Sequence, residues 1–329
     1  MTIWISTAVL VSGCVEFDEN LPNLEERPDL MQKFVIDIAE YAREINPDFI
    51  IIPQNGVELA FNEIKPKNGI NTDYIDAIDG IGIEELFYNG NLNPVDDRND
   101  MLDKLSRIKT QSAKPITIMV SDYINSNSYL ANAFDYSSNN DFICFPRIRD
   151  NRYYDSIPPG TWDYPVGFFN DSDITELKDA KNYLYLISNN NYRPRSSMLN
   201  AIKETDYDVI LIDMFYDGLA FTPFEVEALK TKANGGKRLV ISYINIGSAE
   251  TYRYYWNSSW RIGSPSWIRK TYSKEYSDEY YVKFWDPAWQ NIIYGNDGSY
   301  IKKIINAGFD GAYLDNVEAY YYISHDYDD

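Results

Sequence analysis

Histidine is nearly missing from these 329 residues: His325 stands alone, close to the end, among Asp326, Tyr327 and Asp328. A Ser-His-Asp triad or an H-E-x-x-H zinc site therefore has nothing to build on. Cysteine is almost as scarce. Cys14 and Cys144 cannot form a Cys-rich zinc site, and their unlike surroundings argue against a disulfide. Basic residues are outnumbered, with 30 Lys+Arg against 50 Asp+Glu and a formal charge of −20. An acidic surface repels phosphate, so nucleic acid is excluded as a partner. Beyond the N-terminus no segment is apolar for the roughly 18 residues that a membrane-crossing helix needs. No metal and no organic cofactor is implied, and acid–base work falls to carboxylates.

What is present describes a folded chain, with 44% hydrophobic and 24% charged residues. The 29 tyrosines and 7 tryptophans are many for this length, and rings that do not fill a core line grooves or interfaces. Residues Ile3 to Val11 are apolar or small and lead into Val11-Ser12-Gly13-Cys14. This resembles a bacterial lipobox, cut before a cysteine that becomes lipid-modified. The expectation is a signal-like segment over 1–14, an acidic tether over 15–28, and Cys14 anchoring the chain in the bacterial cell envelope, facing the periplasm or the outside. Because no Lys or Arg precedes Ile3, the translation start is expected upstream.

From Asp29 onward, short apolar β-rich runs alternate with amphipathic stretches, the rhythm of βα repetition. Predicted strands are Phe49–Pro53, Gly80–Glu84, Pro115–Val120, Phe142–Phe145, Tyr183–Ile187, Val209–Ile212, Leu239–Ile244 and Gly311–Leu314. Eight such strands suit a closed parallel (β/α)8 barrel, a TIM barrel, over 29–329. Helices are predicted around Leu30, Phe34 and Ile38, ending before Asn46-Pro47, around Met101, Leu105 and Ile108, from Pro223 onward, and around Ile301 and Ile304. Tyr252 to Tyr281 reads as one long polar loop, with Trp256 and Trp260 as candidate sugar-stacking platforms or core packing. Cys144 reads as an inert buried strand residue.

Ile241-Ser242-Tyr243-Ile244-Asn245-Ile246-Gly247-Ser248-Ala249-Glu250-Thr251-Tyr252-Arg253 resembles the pattern Y-L-S-I-G-E-A-E-x-Y-R. With Val282 to Pro287, Gly308 to Val317, Pro53 to Gly56 and Ile78 to Tyr88, the chain resembles glycoside hydrolase family 114, the endo-α-1,4-polygalactosaminidase-like TIM barrels. Two departures stand out. The block Tyr183 to Tyr322 precedes the block Leu30 to Phe145 in that family, so the order here implies a circular permutation, with an irregular join over Arg147 to Lys181 and with the regions around Asp18 to Asp29 and after Ile323 close in space. Ser248 also stands where the family pattern has glutamate.

Glycosidic cleavage needs two carboxyl groups flanking the scissile bond. Asp315, ending the strand Gly311–Leu314, is the candidate nucleophile or base, a position that the resemblance singles out too. Glu84, after Ile81-Gly82-Ile83, is the candidate acid, its pKa raised by apolar neighbours; Glu85 would point away. Asp213, Glu250, Gln54, Asn55, Tyr216, Tyr252, Arg253, Asp122 and Asn189 are candidate substrate-binding groups. The implied function is hydrolysis of an α-linked amino-sugar polysaccharide, galactosaminan-like, by a monomer that meets the membrane only through a lipid anchor. A surface glycan-binding lipoprotein without turnover is the alternative, and carboxylates buried in full salt bridges would favour it.

Overall fold

The computed structural model describes residues 22–148 and 154–324. Cys14 and His325 lie outside the described residues, as does the first half of the 15–28 tether. The strands are β1 Ile50–Pro53, β2 Gly80–Leu92, β3 Thr117–Ile124, β4 Ile143–Cys144, β5 Tyr183–Leu186, β6 Val209–Asp213, β7 Phe215–Tyr216, β8 Leu219–Ala220, β9 Leu239–Asn245, β10 Ser248–Glu250, β11 Ile268–Thr271, β12 Glu279–Val282 and β13 Gly311–Asp315.

Runs such as Ile50-Ile51-Ile52 and Val209-Ile210-Leu211-Ile212 are buried along their whole length, as parallel strands covered on both faces must be. They form a five-stranded parallel sheet, β1-β13-β9-β6-β5, and a three-stranded parallel sheet, β2-β3-β4. A parallel bridge between Gln54 and Gly82 connects the two. The architecture is mixed α/β around a central parallel sheet, consistent with a TIM-barrel-like fold. Aspartates at the strand starts tie neighbouring backbones: Asp79 accepts from Ile51 N–H at 2.8 Å, Asp208 from Lys181 N–H at 2.8 Å and Asp310 from Val240 N–H at 2.8 Å.

A closed barrel in the permuted order requires the strand Gly311–Leu314 beside Phe49–Pro53 and the strand Phe142–Phe145 beside Tyr183–Ile187; the first pairing is found. Ile50 lies opposite Gly311 and Pro53 opposite Leu314, in parallel. The other is not: β4 is two residues long, and no ladder joins it to β5 among the described residues. Across this seam the Phe145 ring packs on Tyr183 and Tyr185 at centroid distances of 5.8 and 6.5 Å. The ends behave as expected, since the Arg27 guanidinium donates to the Ser324 hydroxyl. Residues 154–176 form no helix or strand, which fits an irregular join.

The helix Arg27–Ile45 stops where Asn46-Pro47 requires, and Pro223–Glu227 begins with a capping box between Thr222 and Glu225. The stretch after Glu250 is not the single loop expected. Strands β10, β12 and β11 form an antiparallel sheet there, built on the β-prone run Glu279-Tyr280-Tyr281-Val282. Trp256 stacks on Tyr280 at 5.5 Å and Trp260 packs edge-on to Trp267 at 5.0 Å, so both serve core packing rather than sugar stacking. Cys144 is buried, as expected.

Much of the tyrosine excess fills the interior. Tyr183, Tyr185 and Tyr313 are essentially inaccessible, and Tyr154 stacks on Tyr185 at 3.7 Å. Gly82 makes room for one of these rings, because a Cβ there would stand 1.8 Å from the Tyr313 Oη. Gly82→Ala is expected to cost about 1–3 kcal/mol of stability through overpacking. A lowered urea midpoint at unchanged m-value would register it.

Candidate functional site

At the strand ends that carry Gln54, Glu84, Asp213 and Asp315 lies a cleft of about 900 Å³. It is lined by carboxyl groups of Glu84, Asp213, Glu250, Glu279, Asp315 and Glu318, and Arg253 is the one basic side chain lining it among the described residues. A cleft of that sign concentrates cations and repels anions.

Three strand ends share a local device. Asn55, Glu85 and Asn316 each follow a lining residue and each has positive φ, at 58°, 56° and 59°. This left-handed turn takes the chain out of the strand directly after the functional side chain, and asparagine tolerates it more readily than glutamate does. At Glu85 the turn accompanies a break in the β2–β3 ladder between Glu84 and Asn89. Glu85 leaves the cleft and pairs with Arg147 at 2.8 Å, so it points away as expected.

Glu84 and Asp315 are held alike. The Tyr154 hydroxyl donates to Glu84 Oε1 at 2.6 Å, and the Tyr243 hydroxyl donates to Asp315 Oδ2 at 2.5 Å. Asn316 N–H supports Asp315 Oδ1 at 2.7 Å, and Glu84 N–H donates to Asn55 Oδ1 at 3.1 Å. Neither carboxyl has an ion pair among the described residues. Burial and the nearby Glu84 charge push the Asp315 carboxyl up to about 7. A raised carboxyl at Asp315 suits it to hold a proton near neutrality, whereas the acid expected from the sequence is Glu84.

Asp213 and Glu250 are different in kind. Arg253 donates from Nη1 to Asp213 Oδ2 at 2.6 Å and from Nε to Glu250 Oε2 at 2.6 Å, and the Tyr252 hydroxyl also donates to Glu250. The guanidinium is almost wholly buried between them. Gln54 accepts from the Tyr185 hydroxyl at 3.1 Å, and Asn189 donates to Asp217 at 2.8 Å. Gln54, Asn55, Asp213, Glu250, Tyr252, Arg253 and Asn189 all line the cleft.

Two expected binding residues do not line it. Asp122 is fully buried, and its Oδ1 accepts from the N–H groups of Phe87 and Tyr88 at 3.0 and 3.3 Å. It satisfies backbone donors freed by the break in the β2–β3 ladder, and β3 runs on to Ile124 rather than ending at Val120. Tyr216 is buried too, its hydroxyl donating to the Tyr192 carbonyl at 2.8 Å.

Four lining acids, Asp217, Asp278, Glu279 and Glu318, were not expected from the sequence. Glu318 follows Asp315 by three residues and is raised to about 7, chiefly by burial. Glu279 stands beside Ser248, whose hydroxyl donates to it, and is raised to about 8 by burial and by Glu250. A clue to it was available in the sequence: Ser248 leaves a polar strand end without its acid, and Glu279 opens a β-prone run that can return beside it.

With Asp315, Glu318, Asp122 and Glu279 all raised in the folded state, that state binds more protons than the unfolded chain between about pH 4 and 8. Their contribution to stability is complete below the unfolded carboxyl pKa and disappears as pH rises through 7 to 8. The thermal midpoint is therefore expected to be higher at pH 5 than at pH 8.5, as scanning calorimetry at fixed ionic strength would record.

Comparison with known proteins gives consistent matches. An uncharacterized protein of Methanocaldococcus jannaschii is 31% identical over 185 residues, which is 50% of this chain and 52% of that one. An uncharacterized protein of Deinococcus radiodurans is 34% identical over 122 residues, 37% of each chain. One of Thermotoga maritima is 27% identical over 157 residues, 48% of this chain and 47% of its own. The chain thus spans about half, or less, of the length of the curated relatives it matches. The family model described as glycoside-hydrolase family GH114 matches residues 180–329. That segment, which brings Asp213, Glu250, Glu279 and Asp315 to the cleft, belongs to glycoside-hydrolase family GH114.

Proposed function

We propose that the chain is a glycoside hydrolase cutting an α-linked amino-sugar polysaccharide, an endo-α-1,4-polygalactosaminidase-like activity, with Asp315 and Glu84 as its working carboxyls. The observation that carries this reading is their common setting: both line one cleft, each steadied by a tyrosine hydroxyl and neither tied up in an ion pair among the described residues. Carboxyls kept only for binding would be expected in the fully paired state of Asp213 and Glu250.

Asp315 protonates the glycosidic oxygen as the bond to the anomeric carbon breaks. Glu84 attacks that carbon or takes a proton from the water that does. Gln54, Asn55 and Asn189 offer amides to sugar hydroxyls, and Tyr252 offers a ring. The acidic lining suits a polymer bearing free amino groups.

The same reading takes residues 29–329 as one TIM-barrel catalytic domain in circularly permuted order. The β1–β13 pairing and the Arg27–Ser324 contact support it. It also takes the chain as a monomer, anchored through Cys14 in the bacterial cell envelope. The test is incubation of the purified chain with amino-sugar and neutral polysaccharides, scored for new reducing ends. Cleavage of the amino-sugar polymers is the expected result. No cleavage of any polymer, with retention on an immobilised glycan, would replace hydrolysis by glycan binding.

A further inference from the structure

Among the described residues Glu279 has no ion pair in the cleft, and its surroundings are unusual for a charged carboxylate. In the antiparallel register of β10 and β12 it stands directly opposite Glu250, a placement that is repulsive if both groups are charged. Glu250 is compensated by Arg253, which reaches it through Nε at 2.6 Å and Nη2 at 3.2 Å. Glu279 has neutral donors instead: Asn245 Nδ2 at 2.8 Å, Asn316 Nδ2 at 3.0 Å and the Ser248 hydroxyl. All three converge on Oε1. Among the described residues, no hydrogen bond is recorded for Oε2.

With three donors already on Oε1, Oε2 is the oxygen left to carry a proton, and the facing Glu250 carboxylate disfavours a second charge at this position. We propose that Glu279 is a proton-bearing, substrate-contacting group of this cleft, offering an O–H donor from Oε2 to an acceptor oxygen of the bound sugar, a hydroxyl or an acyl carbonyl.

The titratable groups around Glu279 are Glu250 on β10, Asp315 on β13, Tyr243 on β9 and Tyr255. Arg253 is committed to Asp213 and Glu250. Burial and the Glu250 and Asp315 charges favour the neutral acid, and the Ser248 and Asn245 hydrogen bonds oppose it without prevailing. In a cleft otherwise suited to cations, a neutral donor makes one position prefer an oxygen acceptor over an ammonium. This inference rests on the proposed hydrolase reading and adds a third acid to it.

The experiment compares native chain, Glu279→Ala and Glu279→Gln on the amino-sugar polymer, with kcat and KM measured from pH 5 to 9.5. Glu279→Ala is expected to lose about tenfold in kcat/KM at pH 6.5, the scale of one hydrogen bond. Glu279→Gln, whose amide can accept and donate at the same two positions, should recover the larger part of that loss. Above pH 8 the native alkaline fall should steepen to two protons, and in Glu279→Gln it should follow one. Equal impairment of Gln and Ala variants, or an Ala variant with native constants and profile, would overturn the proposal.

Infrared difference spectroscopy of native against Glu279→Gln at pH 6.5 needs no turnover. A protonated carboxyl C=O band belonging to Glu279 is expected, and its absence would overturn the assignment. That band in a chain that cleaves nothing would sustain the neutral acid while the hydrolase reading fails.

Discussion

Asp315→Asn and Glu84→Gln are each expected to lower kcat by about 10³-fold or more, within the range spanned by loss of an acid–base group, with near-native circular dichroism. Both changes keep side-chain size, and both positions keep their tyrosine partners, so the effect reads chemistry rather than packing. The two variants should then part company. On a substrate whose leaving group departs without protonation, such as an activated aryl glycoside, Asp315→Asn should recover much of its rate and Glu84→Gln should not. An acid must hold its proton to act, and Asp315 is raised to about 7. Native kcat/KM is therefore expected to fall as pH rises past 7, a limb that Asp315→Asn should lack. Recovery by Glu84→Gln alone would exchange the two roles. Full activity in both variants would dismiss the pair.

Arg253→Met is expected to be the most destabilising change at the site, at about 3–5 kcal/mol, because it strands buried charge. The guanidinium is 3% exposed and faces Asp213 and Glu250, exposed 13% and 5%. The side chain also covers the Tyr252 ring at 5.0 Å, which methionine would only partly replace. The pH dependence identifies the cause. Burial already raises Asp213 above its ordinary value even with Arg253 beside it. Without the cation it rises further, so the deficit should be larger at pH 8 than at pH 5, where protonation relieves the unpaired charge. Urea denaturation at the two pH values measures this, and an equal deficit at both would point to packing instead of charge.

Position along the chain was the legible part of this protein. Apolar strand cores such as Ile50-Ile51-Ile52 and Val209-Ile210-Leu211-Ile212 declare themselves because both faces of a parallel strand are buried. Acids placed immediately after such runs, Glu84, Asp213 and Asp315, therefore reached the cleft as expected. The same logic failed for Asp122, because β3 continues to Ile124 and no local signal marks where a strand ends against a broken ladder. The β4–β5 seam was not legible either, because an apolar run marks a strand but not whether it shares a ladder with its neighbour, and β4 is only two residues long.

The scarcity of histidine and cysteine by itself pointed to carboxyl groups for acid–base chemistry, and the apolar runs before them placed Glu84 and Asp315 at strand ends. Only the tertiary structure decided which carboxyls are paired with Arg253, that burial raises Asp315, and that Glu279 returns on an antiparallel strand to meet Ser248. Side-chain identity is written residue by residue, but charge state depends on burial and on neighbours from distant segments, which exist only once the chain has folded.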